Sequence, residues 1–309
     1  MRVRVNGLLP LDAAAVPEGP AEVLAHAGAA PDWDLESADP GRFLVSAADN
    51  DADLAEVAWM RDGAGIRLRS TEGATFWISR ALDEVWLRWR PPLTEVDAAH
   101  FLLQPVLTLL LRLRGDLVLH ASGVVFGNFA AIVCGHPGAG KSTAAGACLR
   151  AGASLLSDDA VRVEPGDRGW IAHPGNASCR VWDKTAGVLL GDHTLAPEFS
   201  ATWRKRVIRP AQLGARAAAS PARVGVVCVL GDRTGEPEPA LVQLRGFEAV
   251  QALIPHTMPA WLQDGALRAR EMRALAALAA SVPVVRLVVP RDPAALPLVA
   301  DLVRDAAGV

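Results

Sequence analysis

Two periodicities divide this chain. Four short runs alternate apolar and polar positions: Ala55-Glu56-Val57-Ala58-Trp59, Gly65-Ile66-Arg67-Leu68-Arg69, Ala74-Thr75-Phe76-Trp77-Ile78 and Glu84-Val85-Trp86-Leu87-Arg88-Trp89. A period of two is that of half-buried strands, and the runs predict an antiparallel meander. Its buried face is expected to carry Val57, Trp59, Ile66, Leu68, Val85 and Leu87, with the tryptophans packed as core. Residues 10–53, rich in Ala, Pro, Gly and Asp, predict loops and short pieces. Pro91-Pro92 ends the meander and is the expected domain boundary.

Beyond it the period lengthens. Phe101, Leu102, Val106, Leu109, Leu110 and Leu113 predict a helix over 94–114, kinked at Pro105 and stopped by Gly115. Strands are expected at 117–120, 123–126, 130–134, 154–156, 223–230 and 282–290. Helices are expected over 143–150, with Gly152 at its cap, over 264–280 and over 297–307. Strands alternating with helices predict an α/β sheet. The expected division is a β-rich N-terminal domain over 1–92, a candidate for acceptor recognition, and an α/β domain over 93–309.

Composition narrows the classes. With 309 residues and 51% hydrophobic content, the chain can bury a sizeable core. Basic and acidic totals of 31 and 34 leave a formal charge of −3, so no basic footprint for nucleic acid is present. The start, Met1-Arg2-Val3-Arg4-Val5-Asn6, lacks an apolar signal core, and apolar stretches are broken short of a membrane span, so a cytoplasmic protein without a membrane partner is expected. Cys134, Cys148, Cys179 and Cys228 form no C-x-x-C pair and read as buried small apolar residues. The absence of tyrosine excludes tyrosine autophosphorylation.

The chemistry centres on Gly135-His136-Pro137-Gly138-Ala139-Gly140-Lys141-Ser142-Thr143, a match to G-x-x-x-x-G-K-[ST] between an apolar strand and a helix. Glycines let backbone N–H groups converge on phosphate oxygens, Lys141 reaches the outer phosphates, and Ser142 offers a hydroxyl to Mg²⁺. Downstream, Asp158 and Asp159 close a short strand expected to lie next to the loop strand. One could serve Mg²⁺ and the other accept a proton, although a plain Asp-rich turn reads equally well from position alone. His120, at a strand end, is ordinarily a structural residue. The basic run Trp203-Arg204-Lys205-Arg206-Val207-Ile208-Arg209 is either a solvated face or a source of a mobile cation.

Leu119-His120-Ala121-Ser122, the loop at 135–143 and Leu156-Ser157-Asp158-Asp159, in that order and spacing, resemble the catalytic core of the HPr serine kinase/phosphorylase family. The likeness is strong over residues 112–164. His173-Pro174-Gly175, Arg180-Val181-Trp182, Lys205-Arg206, His256-Thr257 and Pro290-Arg291-Asp292 look like HPr-kinase-related proteins of peptide-modification gene clusters, including kinases that tailor lasso peptides. The glycine-rich segment that follows the core in bifunctional members is not found here.

The resemblance implies a P-loop catalytic domain related to phosphoenolpyruvate carboxykinase, with ATP and Mg²⁺ as cofactors. It implies Lys141 and Ser142 on phosphates and Mg²⁺, Asp158 as general base, and His120 hydrogen-bonded to Asp158. Asp159 would serve the metal or organise the loop, and Lys205, Arg206 or Arg209 would approach the phosphoryl group. The implied activity is an ATP-dependent serine kinase acting on a peptide or protein, with the C-terminal serine of a lasso precursor as a candidate acceptor. A nucleotide-binding regulator and a small-molecule kinase of the same fold stand as alternatives, with room for a homo-oligomer.

Overall fold

The alternating runs fold as expected. The computed structural model describes residues 3–6, 23–32, 38–39, 54–60, 65–70, 72–199, 205–257 and 265–308, with backbone alone for 3–6, 38–39, 54–60 and 105. Strands β1 (Val3–Asn6), β2 (Val23–Ala27), β3 (Ala38–Asp39), β4 (Leu54–Met60), β5 (Gly65–Ser70), β6 (Thr75–Ser79) and β7 (Glu84–Arg88) form one sheet in the order β1-β2-β7-β6-β5-β4-β3. From β4 to β7 it is an antiparallel meander, whereas β2 runs parallel to β7, and β1 parallel to β2. Ile66, Leu68, Val85 and Leu87 are fully buried on one face, together with Phe76 and Ile78. Val57 and Trp59 sit on β4, whose side chains lie outside the described residues. Of the expected pieces within 10–53, β2 and β3 are seen, and most of the remainder lies outside the described residues.

The apolar helix breaks where proline dictates. Helix α1 (Glu95–Phe101) and α2 (Leu107–Arg114) are joined by a wide turn over Leu102–Val106, in which Gln104 takes φ −142 and ψ 123. A residue before proline is pushed out of the helical region by the ring, so the break falls at Gln104 and not at Pro105 itself. Thr94 caps α1: its N–H and hydroxyl donate to Asp97 at 2.8 and 2.7 Å. Gly115, at φ +105, ends α2 in the left-handed region. By length and composition Glu95–Arg114 could cross a membrane, contrary to the expectation that every apolar stretch is too short. Here its apolar face, with Phe101, Leu102, Leu109 and Leu110, packs into the same core as the sheet. That burial carries the first compact unit to Gly115, beyond the Pro91-Pro92 boundary expected from the turn signal. Residues 265–269 belong to this unit as well, and Leu267 packs against its core.

The second unit, chiefly Asp116–Met258 and Arg270–Val309, is a mixed α/β structure dominated by its sheet. Its elements are β8 (Leu117–Leu119), β9 (Ala121–Phe126), β10 (Phe129–Cys134), α3 (Lys141–Arg150), β11 (Ser154–Ser157), β12 (Val161–Gly166) and β13 (Gly169–Ala172). There follow β14 (Cys179–Val181), α4 (Asp183–Leu190), β15 (Arg206–Ile208), β16 (Ala222–Leu230), β17 (Ala240–Leu244), α5 (Gly246–Leu253), α6 (Gly265–Ser281, in this unit from Arg270 on), β18 (Val284–Val288) and α7 (Leu296–Ala306). The strand order is β11-β9-β10-β16-β13-β12-β8, with β18 parallel to β16 and β17 on its outer edge. Among the described strands of this unit, β10, β16 and β18 pair in parallel, and β9 is antiparallel to both β10 and β11.

Alternate residues of these strands enter different cores, which is the period-two rule applied to a sheet covered on both sides. Ala131, Val133 and Cys228 pack with Leu149 of α3, Leu189 of α4 and Val303 of α7. Ile132, Cys134 and Val227 pack with Leu253 of α5 and Leu275 and Leu278 of α6. All four cysteines are buried and unbridged. Burial pushes the Cys134 and Cys148 thiols up to about 12, and Cys179 and Cys228 upward too, so they are inert core residues as expected.

Candidate functional site

Between β10 and α3 the chain makes a loop over residues 135–140. Gly138 (φ +78) and Gly140 (φ +109) occupy the left-handed region that L side chains rarely adopt, so the motif glycines are required by the turn itself. Lys141 opens α3 and folds back: its Nζ donates to the carbonyls of Gly135 at 2.8 Å and His136 at 3.3 Å. Desolvation pushes the Lys141 ammonium below its ordinary range, with Asp159 and Asp158 pulling it back up. No side chain caps α3, so its leading N–H groups and the loop amides give an anion-seeking concavity. Thr143 donates from its hydroxyl to that of Thr185 on α4 at 3.4 Å.

The aspartates arrive from β11. This strand is not the neighbour of β10, as the sequence led one to expect: β9 lies between them. Because β9 is antiparallel to both, β10 and β11 run the same way and end at the same edge. The ends are then joined through side chains. Ser142 shares its hydroxyl between Asp158 Oδ1 at 3.1 Å and Oδ2 at 3.0 Å. Ser122 of the intervening β9 donates to Asp158 Oδ1, and the Arg180 backbone N–H donates to Oδ2 at 3.2 Å. Asp158 is completely buried. Burial first, and then the charge of Asp159, push its carboxyl up to about 6 against the pull of Ser122, the Arg180 N–H and Ser142. Asp159 stands at φ +70, with its carboxylate 3.7 Å from the Arg180 guanidinium and its side chain 20% exposed. Of the two acids it is the one open to solvent.

His120 is close by, with a different partner from the one the resemblance implies. Its Nδ1 lies 3.0 Å from the main-chain oxygen of Asp159, where a bond to the Asp158 carboxylate was expected. The His120 backbone N–H donates to the His256 carbonyl at 2.7 Å, and the His256 and His136 rings meet edge to face at 5.3 Å. Burial, followed by His136, His120 and Lys141, lowers His256 to about 4, so this ring stays neutral at physiological pH. The only sequence signal for His256 was its part in the resemblance.

The basic run was expected to supply a mobile cation from Lys205, Arg206 or Arg209. Arg206 lies on β15 and is tied down: its Nε meets Asp183 at 2.8 Å, and its other nitrogens reach Glu198 at 3.3 Å and the Ala196 carbonyl at 3.3 Å. The side-chain bond to Asp183 holds its pKa up, and the guanidinium stitches the start of α4 to the segment before β15. Lys205 lies over the Trp182 ring at 5.6 Å; Trp203 and Arg204 lie outside the described residues. A further cation against the loop is one the sequence reading missed. Arg233, just past the end of β16, sets a guanidinium nitrogen 2.7 Å from where a Cβ on Gly140 would lie. Its single usable signal was that a strand parallel to β10 must end at the loop's edge.

Among the described residues, no group of three or more His, Cys, Asp or Glu is placed to hold a metal ion. A hard divalent ion here would use the Ser142 hydroxyl and one or two carboxylates, with ligand and water oxygens completing its shell. The site therefore opposes backbone N–H groups, Lys141 and Arg233 to a carboxylate pair, which suits an anionic ligand carrying a divalent cation.

No protein-family model matches the sequence, and no curated protein matches it. Among solved structures, the HPr(Ser) kinase/phosphatase from Coxiella burnetii is similar at 16% identity, covering 61% of this chain and 94% of that one, with a TM-score of 0.32. At that TM-score the fold description rests on the strand order and register given above.

Proposed function

We propose that the second unit is a P-loop phosphotransferase that moves the γ-phosphoryl group of ATP to a serine hydroxyl of a peptide or protein. The observation that supports this most is the Ser142–Asp158 hydrogen bond, because it links the turn that would hold phosphates to an acid able to take a proton. The residues fit Mg²⁺, since Ser142, Asp158 and Asp159 supply hard oxygen donors and too few of them for an all-protein cage. When bound, Mg²⁺ would offset charge on the β- and γ-phosphates.

The chain's own groups then act in sequence. Lys141 exchanges the Gly135 and His136 carbonyls for phosphate oxygens, and the loop N–H groups hold the donor in line. As the Ser142 hydroxyl turns toward the phosphates, Asp158 loses that donor and gains an open lone pair. The acceptor oxygen bonds to phosphorus while the bond to the leaving diphosphate oxygen breaks, and the acceptor proton passes to Asp158. A carboxyl raised to about 6 is a stronger base than an ordinary one and still mostly ionised at pH 7. Arg233 stabilises the charge of the group in transit, and Asp159, beside Arg180, serves the metal side.

The test is intact-mass analysis of candidate acceptors incubated with the protein and Mg-ATP, with lasso precursor peptides ending in serine tried first. Gain of one phosphate at that serine is the expected result. Phosphorylated metabolites with unchanged peptides would assign a small-molecule kinase, and ATP bound but never consumed would assign a regulator.

A further inference from the structure

The glycine loop is built around one carbonyl. His136, Pro137, Gly138 and Ala139 form a β-turn in which the Ala139 N–H donates to the His136 carbonyl at 3.1 Å. Proline in second place and a glycine at φ +78 in third are what a type II turn requires. The same carbonyl accepts from Lys141 Nζ at 3.3 Å. A nucleotide that draws Lys141 onto its phosphates takes one tie away from this turn.

We propose that His256 is a positioning residue for the nucleotide: its imidazole pins His136, so the turn keeps its shape when Lys141 leaves it. The inference rests on the reading that residues 135–143 hold nucleotide phosphates.

His256 comes from a remote part of the chain on a rigid mount. Helix α5 buries Ala249 and Leu253 in the core that also takes Ile132 and Cys134 of β10, the strand that leads into the loop. A tight turn, Ile254–His256, follows at once, and Thr257 closes it by donating to the Ile254 carbonyl from its N–H at 3.3 Å and its hydroxyl at 3.1 Å. Main chain then fastens the turn to the sheet. Thr257 pairs with Leu119, and the His256 carbonyl accepts the His120 N–H at 2.7 Å.

On that mount the ring has little freedom. His256 is 3% exposed and meets the ring of the exposed His136 edge to face at 5.3 Å. Burial keeps it neutral, so it packs as an aromatic group near Lys141 and adds no second cation there. Edge-to-face contact is an attractive geometry for aromatic rings, and a loop fixed before its ligand arrives leaves less ordering for the binding step.

The experiment is a fluorescence titration of the full chain with a ribose-labelled ATP analogue and Mg²⁺, after circular dichroism has shown each variant folded. His256→Ala should weaken binding about two- to tenfold, the worth of one aromatic pair, and His256→Phe, which keeps a ring, should bind as the wild type does. His136→Ala should cost about as much as His256→Ala, and the double variant no more than the larger single loss, because both substitutions remove one contact. Wild-type affinity in His256→Ala, equal losses in His256→Ala and His256→Phe, or losses that add in the double variant each overturn the inference and leave the nucleotide reading intact. If His256→Ala does not fold, His136→Ala decides, and its binding as tightly as the wild type overturns the inference. A wild-type chain that does not bind the analogue removes the nucleotide reading and this inference with it.

Discussion

Ser142 shares one hydroxyl proton between both carboxylate oxygens of Asp158, at 3.1 and 3.0 Å, across a sequence separation of 16. The glycine-rich turn and the acidic strand end are thereby joined through side chains. Whatever draws the hydroxyl away also exposes the acid.

Replacing Asp158 with Asn keeps the shape and removes the base. Phosphoryl transfer should fall by roughly 10²- to 10⁴-fold while nucleotide affinity changes little. Adding Ser142→Ala should cost less than the sum of the single effects, because the two groups act through one contact. Initial rates beside nucleotide titrations check this, and a Asp158→Asn protein with near-normal rates would remove Asp158 from the role of base.

The raised Asp158 carboxyl also predicts two pH dependences of opposite sense. As a base it must be ionised, so the rate should rise with pH through about 6 and level off above. For folding, its pKa lies above the ordinary 3.8, so its contribution is fully present below about 4 and is lost as pH climbs through 6. Asp158→Asn abolishes that loss. The melting temperature of the variant minus that of the wild type should therefore grow between pH 4 and 7 in parallel calorimetric scans; a flat difference would refute the burial argument.

Two arginines should separate cleanly. Arg206→Ala breaks ties to Asp183, Glu198 and the Ala196 carbonyl, so thermal stability should drop while transfer at low temperature persists. Arg233→Ala removes a cation over Gly140 and should cut transfer about 10- to 100-fold with the melting point unchanged. The reverse pattern would restore Arg206 as the cation of the reaction.

Gly225 and Gly187 give a paired test of packing. A Cβ on Gly225 of β16 would clash with the Ala307 carbonyl oxygen and meet its carbon at 3.1 Å, both backbone, so Gly225→Ala must push the end of α7 off the sheet. A loss of about 1–3 kcal/mol is expected in urea unfolding. On Gly187, within α4, a Cβ meets nothing within 4 Å, so Gly187→Ala should add roughly 0.5–1 kcal/mol.

What could be read from the residues was whatever is local. The positions of Lys141, Ser142 and the glycines follow from one turn between a strand and a helix, and the burial of Leu68 or Val85 follows from alternation. The meander was legible because each of its strands pairs with a chain neighbour. The contacts of Ser122 and Arg180, named only as part of the resemblance, and the place of Arg233 were not, because they depend on which strands adjoin, and β9 between β10 and β11 leaves no mark on spacing. The ion pairs of Arg206 were not legible either, because a run of basic residues looks alike whether its charges face solvent or meet Asp183 and Glu198. The parallel pairing of β2 with β7 is a long-range contact that no short-range pattern encodes.

The first unit is not continuous along the chain: Leu267, far beyond Gly115, packs against its core. On the ribosome, therefore, the earliest sheet has all seven of its strands long before Leu267 emerges, after the entire glycine-loop strand and its helix. An expression fragment ending near Gly115 would leave exposed the part of the core that Leu267 covers.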